Sequence, residues 1–280
     1  MLNKYIKSPL NYTGGKFKLL SQIVPLLPQN INTFVDLFGG GFNVGINVEA
    51  DNIIYNDLSS QVTQMLKYFK KNSLEDMLKQ IENWINEYKL SKTNQEGFLE
   101  FRLFYNNNKN PLALYTLICY AFNYQIRFNK VGNYNMPFGK DRSSFNNILK
   151  NKFIDFVKKL QSKNINFINN DFISALKNIE LNSDVFIYCD PPYFNSTATY
   201  NENGGWTKKN ELDLREILIE LHGKKISWAL SNNLNTNENL EQWANNNEFK
   251  INYLNGTYGN CNYHKKDKLN KDIEVLITNY

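Results

Sequence analysis

The tetrapeptide from Asp190 to Tyr193 contains residue types that could do chemistry on an amino group. It ends an apolar run, residues 185–189, which predicts a buried strand that opens into a rigid turn at two prolines. Because proline fixes its φ and keeps its carbonyl, Pro191 and an ionised Asp190 offer two acceptors side by side. They match the two N–H donors of a planar amino group, and the Tyr193 ring offers a face for stacking. The alternative is an aspartate that ends a strand and caps a turn beside a core tyrosine.

A glycine loop follows the first predicted strand. Residues 34–38 run directly into Gly39, Gly40 and Gly41, and then into an apolar stretch that is compatible with a helix. A strand, a glycine turn and a helix in this order let the backbone approach a cofactor closely, although a flexible turn is the alternative. The spacing is neither the dinucleotide fingerprint nor a Walker loop. Asp57 ends the next strand, where a carboxylate can accept from ribose hydroxyls.

Short apolar runs predict the strands of an α/β domain with a largely parallel sheet. The runs are about 34–38, 53–56, 165–168, 185–189, 226–230, 249–254 and 274–278. Between the second and third runs lie about a hundred residues that look helical instead. We therefore predict a catalytic domain made of residues 1–63 and 164–280, with an inserted helical domain over 64–163.

The predicted insertion has helical periodicity and one hairpin signal. A helix over 74–88 is capped by Ser73, a second covers roughly 111–126, and a third leads back to the sheet. Gly132-Asn133 between aromatic and polar arms predicts a hairpin over about 127–140.

Composition limits the classes of protein. The chain has 280 residues with 42% hydrophobic and 21% charged residues, which is typical of a globular protein with a sizeable core. We expect no membrane span, no secretory signal and a cytoplasmic location. Three distant cysteines and two histidines predict neither a disulfide framework nor a metal site, and the net charge of +5 alone says little about partners.

The ordered set of motifs resembles the Dam-type (D12 class) DNA adenine-N6 methyltransferases over essentially the whole chain. The matching segments are residues 12–16, 36–41, 56–57, the 127–139 hairpin, 170–172, 190–193 and 277–280. The resemblance implies a Rossmann-like methyltransferase sheet with an inserted target-recognition domain, S-adenosylmethionine as cofactor and double-stranded DNA as partner. It implies neither a covalent enzyme intermediate nor a metal. We expect a monomer, with a restriction endonuclease as a possible cognate partner.

The same resemblance implies a role for each motif residue. Asp190, the Pro191 carbonyl, Pro192 and Tyr193 would hold and stack a flipped-out adenine. Cofactor contacts would come from Tyr12, Gly15, Lys16, Asp36, Phe38, Gly39, Gly41, Asp57, Asp171, Phe172 and Asp190. The 36–41 loop would hold the methionine end, Asp57 the ribose, and Asp171 with Phe172 the adenine. The excess proton would leave after methyl transfer through Asp190.

The hairpin side chains are of the types that read base edges in DNA. The candidate DNA contacts are Arg127, Asn129, Lys130, Asn133, Asn135, Lys265 and Lys266, and phosphate contacts or a solvated loop are the alternative. Many relatives act on GATC, which makes it the first guess, but an additional arginine near the hairpin tip is missing. The polar segment 195–209 could close over the flipped base.

Two other functions remain open from the sequence. One is a methyltransferase that acts on an RNA base or a protein amide, because such enzymes use similar tetrapeptides. The other is a non-catalytic DNA-binding regulator on a methylase scaffold, although the glycine loop, Asp57 and Asp190 are all intact.

Overall fold

The computed structural model describes residues 5–193, 205–237, 239–255 and 273–280. Its strands are β1 Ile31–Asp36, β2 Ala50–Asn56, β3 Ile165–Ile168, β4 Val185–Cys189, β5 Ser227–Asn233, β6 Lys250–Leu254 and β7 Glu274–Thr278. They form one sheet in the order β3-β2-β1-β4-β5-β7-β6. β7 is antiparallel to β5 and β6, and the other adjacent pairs are parallel. The strand order reverses between β1 and β4, and such a switch point leaves a crevice at the carboxyl ends of the strands.

Helices cover both faces of this sheet. They are α1 Leu20–Ile23, α2 Ser60–Lys71, α3 Leu74–Glu87, α4 Gln95–Asn108, α5 Pro111–Tyr120, α6 Asn147–Ser162, α7 Phe172–Lys177, α8 Lys208–Gly223 and α9 Leu240–Asn246. Helices α2 to α6 lie between β2 and β3 in the chain. Among the described helices, none is long and apolar enough to cross a membrane.

The predicted α/β sheet is confirmed, and each apolar run forms a strand within a few residues of its predicted bounds. The first strand ends two residues earlier than predicted, at Asp36, because the chain turns there into the glycine loop. The fifth strand continues to Asn233, since polar residues at its carboxyl end still pair with β7. Ser73 caps α3 as predicted, and its hydroxyl accepts from the Asp76 amide.

The helix expected after the glycine loop is wrong. Only a 3-10 turn, Gly45–Asn47, forms there, because only eight residues separate the loop from β2 and two of their side chains bind elsewhere. Asn47 exchanges two hydrogen bonds with the backbone of Ile6, and Asn43 accepts from the Ser8 amide. Amides that bind a neighbouring segment in this way compete with regular helix formation.

The second helix of the insertion is shorter than predicted. α5 ends at Tyr120, and Ala121 is extended because it pairs with Phe138 in an isolated antiparallel bridge. Helix α4 was not predicted as a separate helix, although the residues that cap it are of common types. Asn94 accepts from the Gly97 amide at one end, and Lys109 ends the helix in the left-handed conformation.

The hydrophobic core has one cluster on each face of the sheet. On one face, Phe34, Tyr55 and Tyr188 pack with the buried side chains of α2 to α6 in a single cluster. On the other face, Val35, Ile187 and Trp228 pack with α7, α8 and α9. The helices between β2 and β3 therefore share the core of the sheet, and the proposed boundaries at 63 and 164 stay a prediction.

Candidate active site

Two aspartates lie at the ends of neighbouring parallel strands, at the switch point of the sheet. Asp36 is the last residue of β1, and Asp190 directly follows β4. Because Asp36 is in register with Tyr188, the two carboxylates project from the same edge of the sheet. The apolar sequence of β4 dictates this placement, since its five residues are all buried. Pro191, which follows, is also buried.

Lys16 connects the N-terminal motif to Asp190. Its Nζ lies 2.8 Å from Asp190 Oδ1, donates to the Gly14 carbonyl at 2.8 Å, and sits 4.8 Å from the centre of the Tyr193 ring. Only 2% of its surface is exposed. A turn closed by the Gly15 amide and the Tyr12 carbonyl brings the lysine into this position. A buried ammonium is stable only where acceptors surround it, and this one has them.

Burial perturbs both aspartates. Burial raises the pKa of Asp190 to about 6, while Lys16 opposes the rise and the Glu274 charge adds to it. Burial also raises the pKa of Asp36 to about 7, against a hydrogen bond from the Gly45 amide to Oδ2 at 3.0 Å. The negative charges of Asp190 and Asp57 raise the Asp36 pKa further. The edge therefore brings acidic side chains of low exposure together, and a cation bound there would lower these pKa values.

Glu274 holds the ring of Tyr193. The tyrosine hydroxyl donates to Glu274 Oε2 at 2.7 Å, and Asn233 Nδ2 donates to Oε1 at 3.2 Å. Glu274 is 2% exposed at the start of β7 and pairs with Asn233 in the sheet. The sequence analysis missed this carboxylate, although an acidic residue that begins an otherwise apolar strand is a usable signal. Its effect is to fix a partly exposed aromatic ring between a carboxylate and an ammonium.

The glycine loop fits closely against two tyrosines. A Cβ on Gly39 would lie 2.3 Å from the Tyr55 ring, and one on Gly40, whose φ is +47°, would lie 2.8 Å from the Tyr12 ring. Tyr55 also donates its hydroxyl hydrogen to the Gly40 carbonyl at 2.9 Å. On the same loop, a Cβ on Gly41 would be 3.0 Å from Tyr12 Cβ. The loop is thus held in one shape by side chains that leave no room for a larger residue.

Asp57 and Asn56 hold this loop from the end of β2. Asp57 Oδ2 accepts from the Gly40 amide at 2.8 Å and Oδ1 from the Ser59 amide at 2.7 Å. Burial raises the Asp57 pKa, and these hydrogen bonds and one from Tyr12 oppose the rise. Asn56, which is 1% exposed, donates to the Leu37 and Asn170 carbonyls. Asp57 therefore shapes the loop here, and its contact with a ribose stays a prediction.

Three aromatic rings meet beside the loop. The Phe38, Phe172 and Trp206 centroids are 5.5–5.6 Å apart, pair by pair. Phe172 is 6% exposed, whereas Phe38 and Trp206 are partly exposed. Asp171 is exposed and caps α7 through the Ser174 amide at 3.0 Å, and hydrogen bonds from the Ser174 side chain and then from its amide lower the Asp171 pKa. The predicted pair Asp171 and Phe172 thus reaches the site through the phenylalanine ring. Trp206 was not among the predicted site residues.

The hairpin forms, and its polar side chains have partners within it. An isolated bridge joins Phe128 to Tyr134. Arg127 donates to the side-chain and backbone oxygens of Asn135, and Asn129 Oδ1 accepts from the Val131 and Asn133 amides. Lys109, from the end of α4, donates to Asn133 Oδ1 at 2.6 Å and to the Gly132 carbonyl at 3.0 Å. Lys130 is exposed next to Val131 at the tip.

Some predicted residues cannot be placed. Lys265, Lys266 and residues 194–204 of the proposed closing segment lie outside the described part of the chain. The described residues bring the N-terminal motif, the glycine loop, Asp57 and the 190–193 tetrapeptide together at one edge of the sheet. The hairpin arises instead from the helices between β2 and β3.

Comparison with known families identifies this arrangement. The model of the D12 class N6 adenine-specific DNA methyltransferases matches residues 12–270. The chain belongs to this family. The resemblance seen in the motifs is therefore confirmed, and so is the α/β fold class expected from it.

The most informative relatives are modification methylases. The chain is 48% identical over 99% of its length to the type II methyltransferase M.FokI of Planomicrobium okeanokoites, and 45% identical over 99% to the modification methylase StsI of Streptococcus sanguinis. It covers 43% of the length of each of these relatives. The DNA adenine methylase of Escherichia coli K12 is 26% identical over 80% of this chain and 79% of its own length.

Proposed function

We propose that this protein transfers a methyl group from S-adenosylmethionine to the N6 amino group of an adenine that is flipped out of a short, specific duplex DNA site. The observation that carries the proposal is the pairing of Asp190 with Tyr193. One side chain is an acceptor and the other a stacking face, and Lys16 and Glu274 hold both. Family membership supports the choice of adenine and DNA.

The residues at this edge fit the proposed cofactor. The buried Asp36 and the partly exposed Asp190 both have raised pKa values, and they suit a ligand that carries positive charge. Tyr12 and Tyr55 hold the glycine loop in one shape at the strand end, and the rings of Phe38 and Phe172 suit an adenine. When bound, S-adenosylmethionine would supply a methyl group on a positive sulfonium, an activated donor that requires no enzyme nucleophile.

The protein's own groups then have three tasks. Asp190 and the Pro191 carbonyl accept the two N6–H hydrogens of the flipped base, which orients the nitrogen for attack and supplies rate through positioning. Tyr193 stacks on the base and replaces part of the stacking that flipping removes. After transfer, N6 carries one proton in excess, and Asp190 Oδ accepts it. A carboxylate whose pKa is raised to about 6 holds that proton better than an ordinary aspartate.

The hairpin is the proposed reader of the DNA sequence. Its tip presents Lys130, and its arms present Arg127, Asn129, Asn133 and Asn135. These side chains bond to one another without DNA, so base contacts would require some of the bonds to exchange. GATC is the first site to test. The higher identity to M.FokI and StsI than to the Escherichia coli DNA adenine methylase is a reason to test other adenine sites equally.

A direct test incubates the purified chain with methyl-labelled S-adenosylmethionine and, separately, duplex DNA, structured RNA and protein. We expect label in duplex DNA as N6-methyladenine. Label only in RNA or protein, or DNA binding without any transfer, would overturn the proposal. Sequencing the methylated genome of a host that lacks its own adenine methylases and expresses the chain gives the site. We expect the chain to act as a monomer, and sedimentation during the same study checks this. A cognate restriction endonuclease would cut the site that the chain protects.

A further inference from the structure

Trp206 contacts the wall of the proposed cofactor pocket from a separate part of the chain. Its ring lies 5.5 Å from both Phe38, next to the glycine loop, and Phe172, at the start of α7. It stands just before α8, whose first residue is Lys208. The cluster therefore joins three segments that follow different strands of the sheet. Two of its three rings are partly exposed, so the cluster keeps an open apolar side.

A buried polar network fixes this tryptophan. The indole Nε1 donates to Glu211 Oε2 at 2.8 Å, while Glu211 Oε1 accepts from Arg215 Nε at 3.1 Å and Asn237 Nδ2 at 2.7 Å. Arg215 also donates to Asn237 Oδ1 at 2.6 Å and lies over the Trp243 ring. Glu211, Arg215 and Asn237 are each at most 9% exposed.

Such a network is more than packing requires. A tryptophan that only covered a core could be held by apolar contacts, and a buried glutamate and arginine pair stabilises little compared with apolar residues of the same size. What the network adds is orientation, because the indole N–H has one acceptor and that acceptor is itself held by two other donors. The glutamate also belongs to the first turn of α8, so the ring is tied to a 16-residue helix.

We infer that Trp206 is a binding residue for the adenine ring of the cofactor, and that Glu211 is the positioning residue that holds it against Phe38 and Phe172. The inference rests on the proposed function, because it names a further residue of the same site. Asn56 donates to the carbonyls of Leu37 and Asn170. Because these residues lie close in sequence to Phe38 and Phe172, the hydrogen bonds connect the aromatic cluster to the glycine loop.

The test measures equilibrium binding of S-adenosylhomocysteine by calorimetry and by tryptophan fluorescence. Trp206→Ala should weaken binding by about tenfold or more, since an aromatic face stacked on a base is lost. Trp206→Phe keeps a ring and loses the N–H, so it should weaken binding by only a few-fold. It should also remove most of the ligand-induced change in emission, because Trp84 and Trp228 lie elsewhere in the fold and Trp243 contacts the network only through Arg215.

Glu211→Gln tests the positioning role. It should weaken binding in the wild-type background and have little further effect in the Trp206→Ala background, as expected when one residue acts through the other. Leu212→Ala is the matched control, because Leu212 is on the same turn of α8 and 48% exposed. It should change affinity by less than about twofold.

Three results would contradict the roles inferred for Trp206 and Glu211. If Trp206→Ala lowers the melting temperature but binds as tightly as the wild type, the ring only covers the core and the inference is wrong. Retention of the full emission change in Trp206→Phe would also overturn it. Equal effects of Glu211→Gln in both backgrounds would remove the positioning role. If the wild type itself fails to bind S-adenosylhomocysteine, the proposed function falls and this inference with it; weakened variants of a binding wild type affect only the inference.

Discussion

The carboxyl edge of the sheet and the hairpin differ in how deeply their polar side chains are buried. At the edge, the Asp190 charge raises the pKa of the buried Asp36, and the almost fully buried Lys16 lies between Asp190 and the Tyr193 ring. In the hairpin, Arg127 and the asparagines lie near the surface and bond to their neighbours.

The difference shows where the fold buries charged groups despite the unfavourable free energy of removing them from water. Buried charge is unfavourable unless it is paired, so its presence at the edge requires a rigid surrounding that leaves no alternative geometry. The hairpin carries no such cost, because its polar side chains lie near the surface and their bonds can be replaced by water or by another polar group. We therefore expect substitutions at the edge to have large, specific effects, and substitutions in the hairpin to have small, graded ones.

The sharpest expected effect is at Asp190. Asp190→Ala should lower methyl transfer by at least about a hundredfold, because one of the two acceptors for N6 and the proton acceptor are both lost. Binding of S-adenosylhomocysteine should change only a few-fold. Asp155→Ala, which removes an exposed carboxylate on α6, should retain full activity in the same radiolabel assay. Near-normal turnover of Asp190→Ala would contradict the proposed role.

The glycine loop should tolerate no side chain. Gly39→Ala should destabilise the fold by about 1–3 kcal/mol in urea denaturation and impair cofactor binding, because its Cβ would meet the buried Tyr55 ring. Gly223→Ala is the control, since no atom lies within 4 Å of its Cβ and it ends α8. If both variants behave alike, the loop is less rigid than its contacts indicate.

The neighbours of Asp190 should shift the pH dependence of catalysis in opposite directions. Activity of the wild type should rise with pH as Asp190 ionises, at a pH below about 6 because the bound sulfonium lowers the Asp190 pKa. Lys16→Met removes the charge that lowers the Asp190 pKa, so the rise should move to higher pH. Glu274→Gln removes a charge that raises it, so the rise should move to lower pH. Single-turnover rates at saturating cofactor measure both, and shifts of the same sign would disprove the electrostatic assignment.

The raised pKa of Asp36 should also affect how the free energy of unfolding depends on pH. Because the Asp36 pKa is raised from 3.8 to about 7 in the fold, its stabilising contribution is complete below about pH 4 and lost as the pH rises through 7. Asp36→Asn should remove this dependence. The difference in unfolding free energy between variant and wild type should therefore grow in favour of the variant from pH 4 to pH 8. A constant difference would mean that Asp36 is not perturbed.

The smallest expected effect is at the hairpin tip. Lys130→Ala should weaken DNA binding a few-fold and reduce the salt dependence of affinity by about one unit of slope if it contacts a phosphate. S-adenosylhomocysteine binding should not change, since the hairpin lies apart from the edge. Loss of cofactor affinity in this variant would show that the hairpin and the edge are coupled and do not respond independently.

Local sequence predicted the elements of the site better than its contacts. The run at 185–189 placed Asp190 at a strand end, because an apolar run that stops at a turn residue has few alternatives. The run at 34–38 placed Asp36 inside a strand, whereas β1 ends at Asp36. The helix after Gly41 was predicted wrongly, since Asn43 and Asn47 bind a segment more than thirty residues earlier in the chain. Glu274 and Trp206 were missed for the same reason. Their partners, Tyr193 and Phe38, lie 81 and 168 residues away in sequence.

The sequence by itself determined the α/β class, the strand end that carries Asp190, the hairpin and the family. Each of these depends on periodicity or on short motifs, which act over a few residues. The tertiary structure alone decided which charges meet. Lys16 pairs with Asp190, Glu274 fixes Tyr193, and Asp57 holds the backbone of the glycine loop. Burial and Coulomb interactions depend on distance in space and on the exclusion of water, and neither is set until the chain has folded.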